Sequence, residues 1–290
     1  MPTSRMPDSH LHRGAAEGFG ADAERYDRAR PVTPRPVADA VLAYLAGGPL
    51  GAGYPPAAAS APAAPPRVLD VGIGTGLSAL PFRAAGAHVL GVEADPRMAA
   101  VARGRGLDVE VARFEQWQPA GRTFDVVVSG MTWHWVDPVG GAAQAARVLR
   151  DGGVLAVFWH AADLPPTLRE ALHRLYSTAL EGTPGAAMYT PGRSAADGYE
   201  AMLDRAQDGL TEAGGFAAPE RLRHHWQRRY TVAEWLDQVP TSGGFGRLPE
   251  PVQRVVLDGT RSALDGDPAV SNGAFTVDHT TVLLAARRVG

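Results

Sequence analysis

This 290-residue chain contains no cysteine and no lysine; all 28 of its basic residues are arginine. Without cysteine there can be no disulfide, thiolate nucleophile, zinc–thiolate site or iron–sulfur cluster, nor radical chemistry that starts on such a cluster. Without lysine there is no PLP Schiff base, no P-loop lysine and no Tyr-Lys couple of the short-chain dehydrogenase kind. Long apolar runs are also missing: no stretch approaches the ~18 residues that a membrane span needs. The Arg- and His-bearing N-terminus lacks the apolar core of a secretory signal, so the cytoplasm is the expected compartment. Net charge is only −3 and the arginines form no block, which argues against a nucleic-acid partner. The nearest basic aromatic patch, His224 to Tyr230, reads as a strand whose alternating faces divide it. His173, His224, His225 and His279 have no metal-site spacing with carboxylates. What remains is polar, two-electron chemistry in a chain whose 45% hydrophobic content can bury a core.

The most informative stretch is Arg67-Val68-Leu69-Asp70-Val71-Gly72-Ile73-Gly74-Thr75-Gly76. It reads as an inner parallel strand ending in a glycine turn, where backbone without a Cβ can touch a ligand. A helical pattern follows from Leu77 to Ala85, completing a nucleoside-type crevice. The dinucleotide fingerprint G-x-G-x-x-G is not met, because Leu77 stands where its third glycine belongs. Asp70, just before the turn, would repel a pyrophosphate and attract an ammonium. Glu93, 23 residues further on, ends a second strand where an acid meets ribose hydroxyls. An adenosine joined to a cationic amino acid is S-adenosylmethionine.

At these residues the chain resembles the class I S-adenosylmethionine-dependent methyltransferases, in particular the small-molecule group that includes the ubiquinone-biosynthesis and trans-aconitate enzymes. Val68 to Gly76 resembles the first motif of that family and Gly91 to Met98 its second. Ala112-Arg113-Phe114-Glu115 is similar to its adenine-edge segment, Trp133-His134-Trp135-Val136-Asp137 to its His-Trp-x-Asp element, and Arg147 to Gly153 to its Leu-x-Pro-Gly-Gly turn. Order and spacing agree over roughly residues 18 to 160, and the tail from Arg221 matches less well. Upstream, Phe19 to Pro31 resembles an N-terminal lid in which a tyrosine and an arginine approach the cofactor carboxylate, which singles out Tyr26 and Arg30. The resemblance implies a cofactor site made of Tyr26, Arg30, Asp70, Gly72, Ile73, Gly74, Gly76, Glu93, Ala94, Arg113, Phe114, Glu115 and Ser129.

Strands and helices alternate strictly through residue 160, which predicts a Rossmann-like, doubly wound α/β sheet. Seven strands are expected, mostly parallel, with the last antiparallel. Residues 1–17 show no periodicity and are expected to be mobile, and Gly47 to Pro66, dense in Ala, Gly and Pro, reads as a flexible surface insertion. Residues 18–160 form the expected cofactor-binding core with its lid helices. Residues 161–219 break the alternation and read as a helical cap over the carboxyl ends of the strands, with 220–290 completing the sheet.

Methyl transfer is an in-line displacement that gains most from holding donor and nucleophile collinear. A base for the nucleophile's proton is the remaining need. His134, after the fourth strand, and His160, ending the fifth, are the candidates. In a purely structural role His134 would hydrogen-bond backbone to hold its turn. Trp133 and His134 are expected to meet the substrate, a small, apolar or aromatic molecule methylated at O, N or C. The Ala/Arg-rich composition and the cap suit an enzyme of specialised metabolism. Three alternatives stay open: a methyltransferase fold that uses the cofactor electrostatically for a cyclisation, a nicotinamide oxidoreductase, and a non-catalytic subunit. The sequence says nothing of oligomeric state.

Overall fold

The computed structural model describes residues 18–51 and 64–290; the segment 1–17 and most of the Gly47 to Pro66 insertion, both expected to be mobile, lie outside the described residues. A short 3-10 turn, Phe19–Asp22, leads into helix α1 (Ala23–Ala29), and α2 (Arg35–Leu45) follows. The core then alternates as β1 (Arg67–Val71), α3 (Leu80–Ala84), β2 (His88–Glu93), α4 (Pro96–Gly104), β3 (Asp108–Val111), β4 (Phe124–Gly130), α5 (Pro138–Val148) and β5 (Leu149–Asp163). Beyond it come α6 (Pro166–Ala179), α7 (Glu200–Ala213), β6 (Glu220–Thr231), α8 (Val232–Gln238), α9 (Glu250–Gly266) and β7 (Ala274–Arg287).

The seven strands form one sheet in the order β3-β2-β1-β4-β5-β7-β6. β1 to β5 pair in parallel, and β7 runs antiparallel to both β5 and β6, so it alone is reversed. The order reverses between β1 and β4, and the open crevice at the carboxyl ends of the strands lies there, where ligands meet sheets of this kind. Inner strands are apolar on both faces, as helices on either side require. Leu69, Val127, Leu155 and Val157 pack toward α5 and α7, whereas Val68, Val126, Val128, Val154 and Ala156 pack toward α2 and Phe82 of α3.

The expected cap is divided. α7 covers the sheet itself, its Leu203, Ala206 and Leu210 joining Ala142 and Ala145 of α5 in the main core. α6 instead joins α8 and α9 in a separate apolar cluster, through Leu168, Leu172, Tyr176, Trp235, Leu236, Val256 and Leu264. The roof is therefore built from two stretches of sequence, the second inserted between β6 and β7. Among the described residues no helix is long and apolar enough to cross a membrane.

The α5–α7 contact is tight enough to invert a helix-propensity rule. Alanine in place of glycine inside a helix normally stabilises by about 1 kcal/mol. A Cβ on Gly209 of α7 would overlap the Pro138 carbonyl oxygen and lie 2.7 Å from its carbon, and overpacking of this kind costs ~1–3 kcal/mol. Gly209→Ala should thus lower the thermal midpoint; a rise, measured by circular dichroism or calorimetry, would contradict this packing.

Candidate active site

Two connected cavities occupy the crevice, one of about 580 Å³ and one of about 100 Å³, sharing Gly72, Glu93, Asp95, Thr132 and Trp135 in their walls. The larger is floored by the glycine turn after β1 and roofed by α1, the segment 187–202 and α8. The smaller is an apolar slot beside β2 and β3, lined by Val92, Ala94, Arg113, Phe114, Glu115 and Val136.

The turn takes its shape from residues that need left-handed backbone: Gly72 has φ +66° and Gly74 φ +56°. Gly72 N–H donates to the Val92 carbonyl at 2.8 Å, docking the turn on β2. Glu93 fixes the other side, one carboxylate oxygen accepting from Gly74 N–H and the other from Asp95 N–H, each at 2.8 Å. Burial raises the Glu93 carboxyl above its ordinary range, and these backbone bonds pull it back. Asp95 caps α4 by accepting from Arg97 N–H and pairs with the Arg97 guanidinium, which holds its carboxyl below the usual range.

Asp70 is fully buried and does not line either cavity. Its Oδ2 accepts from the Ser78 hydroxyl at 2.6 Å, while Oδ1 is buried without a partner. Desolvation pushes its carboxyl up to about 7, with the Ser78 bond opposing. A buried carboxylate oxygen with no donor is costly. Ser78 lines the large cavity directly beside it.

Tyr26 and Arg30 hang from the roof. Burial raises the Tyr26 hydroxyl, and the Arg30 guanidinium lies 5.6 Å from the Tyr26 ring centre. Arg30 donates to the Thr241 hydroxyl at 2.8 Å and to the Thr241 carbonyl at 2.6 Å. Among the described residues it has no carboxylate partner. α1 is tied to α8 by Arg25 and Arg28 on Asp237, and to the end of α4 by Asp27 on Arg105.

Of the other residues singled out from sequence, Ile73, Gly72, Gly74, Glu93, His134 and His160 line the large cavity, and Ala94, Arg113, Phe114 and Glu115 the small one. Gly76 does not: a Cβ there would meet Leu107, so it serves the packing of the turn against the residue just ahead of β3. Ser129 is fully buried and its hydroxyl donates to the Val71 carbonyl at 2.9 Å, tying β4 to β1 rather than facing the crevice. Trp133 is a core residue, packed 6.3 Å from the Phe114 ring, because its 3-10 turn points it beneath the sheet face while the next residue points outward.

His134 accepts at Nδ1 from the Trp159 indole N–H at 3.1 Å, and burial lowers its pKa to about 4. His160 is bonded at both ring nitrogens, Nε2 to the Thr33 hydroxyl at 3.0 Å and Nδ1 to the Thr281 hydroxyl at 2.8 Å. Burial, aided by nearby His279 and His224, drops it to about 3. It therefore works as a cross-link between the lid segment, β5 and β7 rather than as a free base.

Several lining residues carry no signal in the sequence. Tyr189, Tyr199 and Met202 come from the region expected to be a cap, and Trp235, Gln238 and His279 from the tail. Met131, at φ +60°, holds a strained left-handed conformation at the end of β4, where its sulfur accepts from His160 N–H. The switch-point rule that drew attention to His134 covers Met131 and Thr132 equally.

Comparisons with known proteins agree on one family. A family model described as a methyltransferase domain matches residues 69–157. An uncharacterized methyltransferase of Mycobacterium tuberculosis is 30% identical over 278 residues, covering 94% of this chain and 97% of the relative. A malonyl-[acyl-carrier protein] O-methyltransferase of Enterobacter lignolyticus is 35% identical over 162 residues, 55% of this chain and 58% of the relative. Among solved structures, a putative type II methyltransferase from Anaeromyxobacter dehalogenans shares the fold at a TM-score of 0.58 and 20% identity, covering 90% of this chain and 98% of that one.

The position of Asp70 makes a stability prediction. Its folded-state pKa of about 7 lies above the unfolded value, so the folded form binds the extra proton and stability is lost as pH rises from about 4 to 7. The penalty at pH 8 is on the order of 4 kcal/mol. Asp70→Asn should therefore raise the thermal midpoint of the ligand-free protein by several degrees at pH 8 and much less at pH 5. Equal shifts at the two pH values, or a drop at pH 8, would contradict an unpaired carboxylate.

Proposed function

This chain belongs to the class I S-adenosylmethionine-dependent methyltransferases, and from that premise we propose that it methylates a small-molecule acceptor held under the composite roof. The observation that carries the reading is the pair of acids at the carboxyl ends of β1 and β2, one with an unpartnered buried oxygen, around a turn of left-handed glycines.

The residues fit the cofactor. Asp70 Oδ1 lacks the donor that an ammonium would provide. Arg30, without an acid partner among the described residues, suits a carboxylate, with Tyr26 beside it. Glu93 lies in the wall of both cavities, and its carboxylate oxygens suit ribose hydroxyls as acceptors. The apolar slot formed by Ala94, Phe114 and Val136, with Arg113 and Glu115 at its edge, suits a flat heteroaromatic base. When bound there, S-adenosylmethionine supplies a methyl group on a positively charged sulfur.

The chain's own part is to bind, orient and exclude water. Asp70, Arg30 and Glu93 would fix the cofactor by three separate groups, which restricts its rotation and brings the reacting atoms into line. Aromatic and thioether side chains, among them Trp135, Tyr189, Tyr199, Met131 and Met202, wall the remaining space. A cavity roofed by α1, the cap and α8 favours a small acceptor over a macromolecular one.

Titration calorimetry with S-adenosylhomocysteine should detect one site, and Glu93→Gln should weaken it about 10- to 100-fold, the worth of hydrogen bonds to a charged group. NADH should give no heat. With methyl-labelled cofactor, label should appear in the product. Absence of binding, or turnover without label in the product, would overturn the proposal.

A further inference from the structure

The hydrogen bond between Trp159 and His134 fixes which proton His134 carries. An indole N–H can only donate, so His134 Nδ1 must present a lone pair. The neutral ring then carries its hydrogen on Nε2. The ring lines the large cavity, and among the described residues no protein group is bonded to Nε2. Toward a ligand His134 is thus a hydrogen-bond donor. To act as a base it would have to accept a proton at Nδ1, replacing a bond with an opposed N–H.

Among the described residues, the other titratable side chains lining the cavity are engaged by protein groups or have their unpaired atoms buried away from its space. His160 is held at both nitrogens by threonine hydroxyls. His279 is stacked on Trp226 at 4.1 Å and bonded at Nε2 to the Tyr230 hydroxyl, and its Nδ1 is a buried atom out of reach of a ligand. Glu93 is engaged by two backbone amides, and Asp95 by Arg97 and its helix. The tyrosines Tyr26, Tyr189 and Tyr199 are raised by burial. On the cap side of the cavity Arg169 and Arg193 are present, and no acid pairs with Arg193 among the described residues.

We propose that the acceptor is a carboxylate, methylated on oxygen to an ester, with His134 Nε2–H donating to the oxygen that does not attack. This deepens the methyltransferase reading and rests on it. An alcohol, a phenol or a carbon acid would need a base to remove its proton, and an amine would place its lone pair against a donor. A carboxylate brings its lone pair already ionised. One carboxylate oxygen forms a bond to the methyl carbon as the carbon–sulfur bond breaks with its electron pair staying on sulfur. The negative charge of the acid and the positive charge of the sulfonium cancel, and no proton is released. Burial reinforces the arrangement by keeping the imidazole neutral at physiological pH, with no charged neighbour contributing to its shift.

The test uses the full chain. Nitrogen-15 NMR of labelled histidines, with and without S-adenosylhomocysteine, should show His134 as the neutral Nε2–H tautomer without titration between about pH 5.5 and 8. This reading needs no acceptor. Label from methyl-labelled cofactor should pass to phenylacetate and not to phenethylamine or phenethyl alcohol. His134→Gln, whose amide keeps a donor but is no base, should stay within about tenfold of the parent, whereas His134→Phe should lose about 10- to 100-fold. An Nδ1–H tautomer, a titration near 6.5, label in the amine or alcohol, or a Gln variant as impaired as Phe would overturn the proposal. Loss of S-adenosylhomocysteine binding in the parent would instead remove the methyltransferase reading beneath it.

Discussion

The Glu93 carboxylate is the joint on which the site depends. It is partly buried, and both of its oxygens are bound by backbone amides, one from the glycine turn after β1 and one from the start of α4. A buried carboxylate persists as an anion only when such donors compensate its lost hydration. Here they also set geometry. They hold the turn against the end of β2, and both cavities meet at this side chain. Asp70 is its counterpart on the adjacent strand, with the opposite arrangement: one serine hydroxyl, one orphan oxygen and a strongly raised pKa. One acid is satisfied by the protein; the other keeps an oxygen without a partner, which the proposed function assigns to a ligand. That asymmetry is a form of preorganisation, because a destabilised group in the free protein gains most when its partner arrives.

The roof couples what lies beneath it. α1 carries Tyr26 and leads into Arg30, yet its attachments reach α8 through Asp237 and Thr241 and α4 through Arg105. α8 in turn belongs to the apolar cluster shared with α6 and α9. The roof helices α1 and α8 are therefore parts of one packed unit, joined to the sheet through His160, which links Thr33 of the lid segment to Thr281 of β7. Most of these ties are polar and partly exposed, so they add little stability. Their effect is on position.

Much of this was legible in the sequence, for identifiable reasons. The glycine turn, Asp70 and Glu93 sit within 24 residues of chain, and their spacing points to the cofactor class; the alternation of strands and helices carried the sheet. Side-chain direction was less legible. Inner strands are apolar on both faces, so nothing in the pattern showed that Ser129 turns to β1 or that Asp70 lies under the turn rather than in the cavity wall. The run Trp133-His134-Trp135 forms a 3-10 turn, whose period matches neither strand nor α-helix, and it sends Trp133 to the core and His134 to the cavity. The role of His160 depends on Thr33 and Thr281, each more than a hundred residues away in the chain. The division of the cap was hidden because α6 and α7 have similar amphipathic patterns and differ only in the surface each one meets.

On the proposed function, Asp70 and Glu93 grip opposite ends of one adenosyl amino acid. A crystal structure of the chain with S-adenosylhomocysteine tests it most directly. Ribose hydroxyls should lie within hydrogen-bond distance of Glu93 and an adenine in the slot beside Phe114, and the amino group should serve Asp70 Oδ1 directly or through one water. A ligand seated elsewhere, or bound with Asp70 Oδ1 still unpartnered, would contradict it.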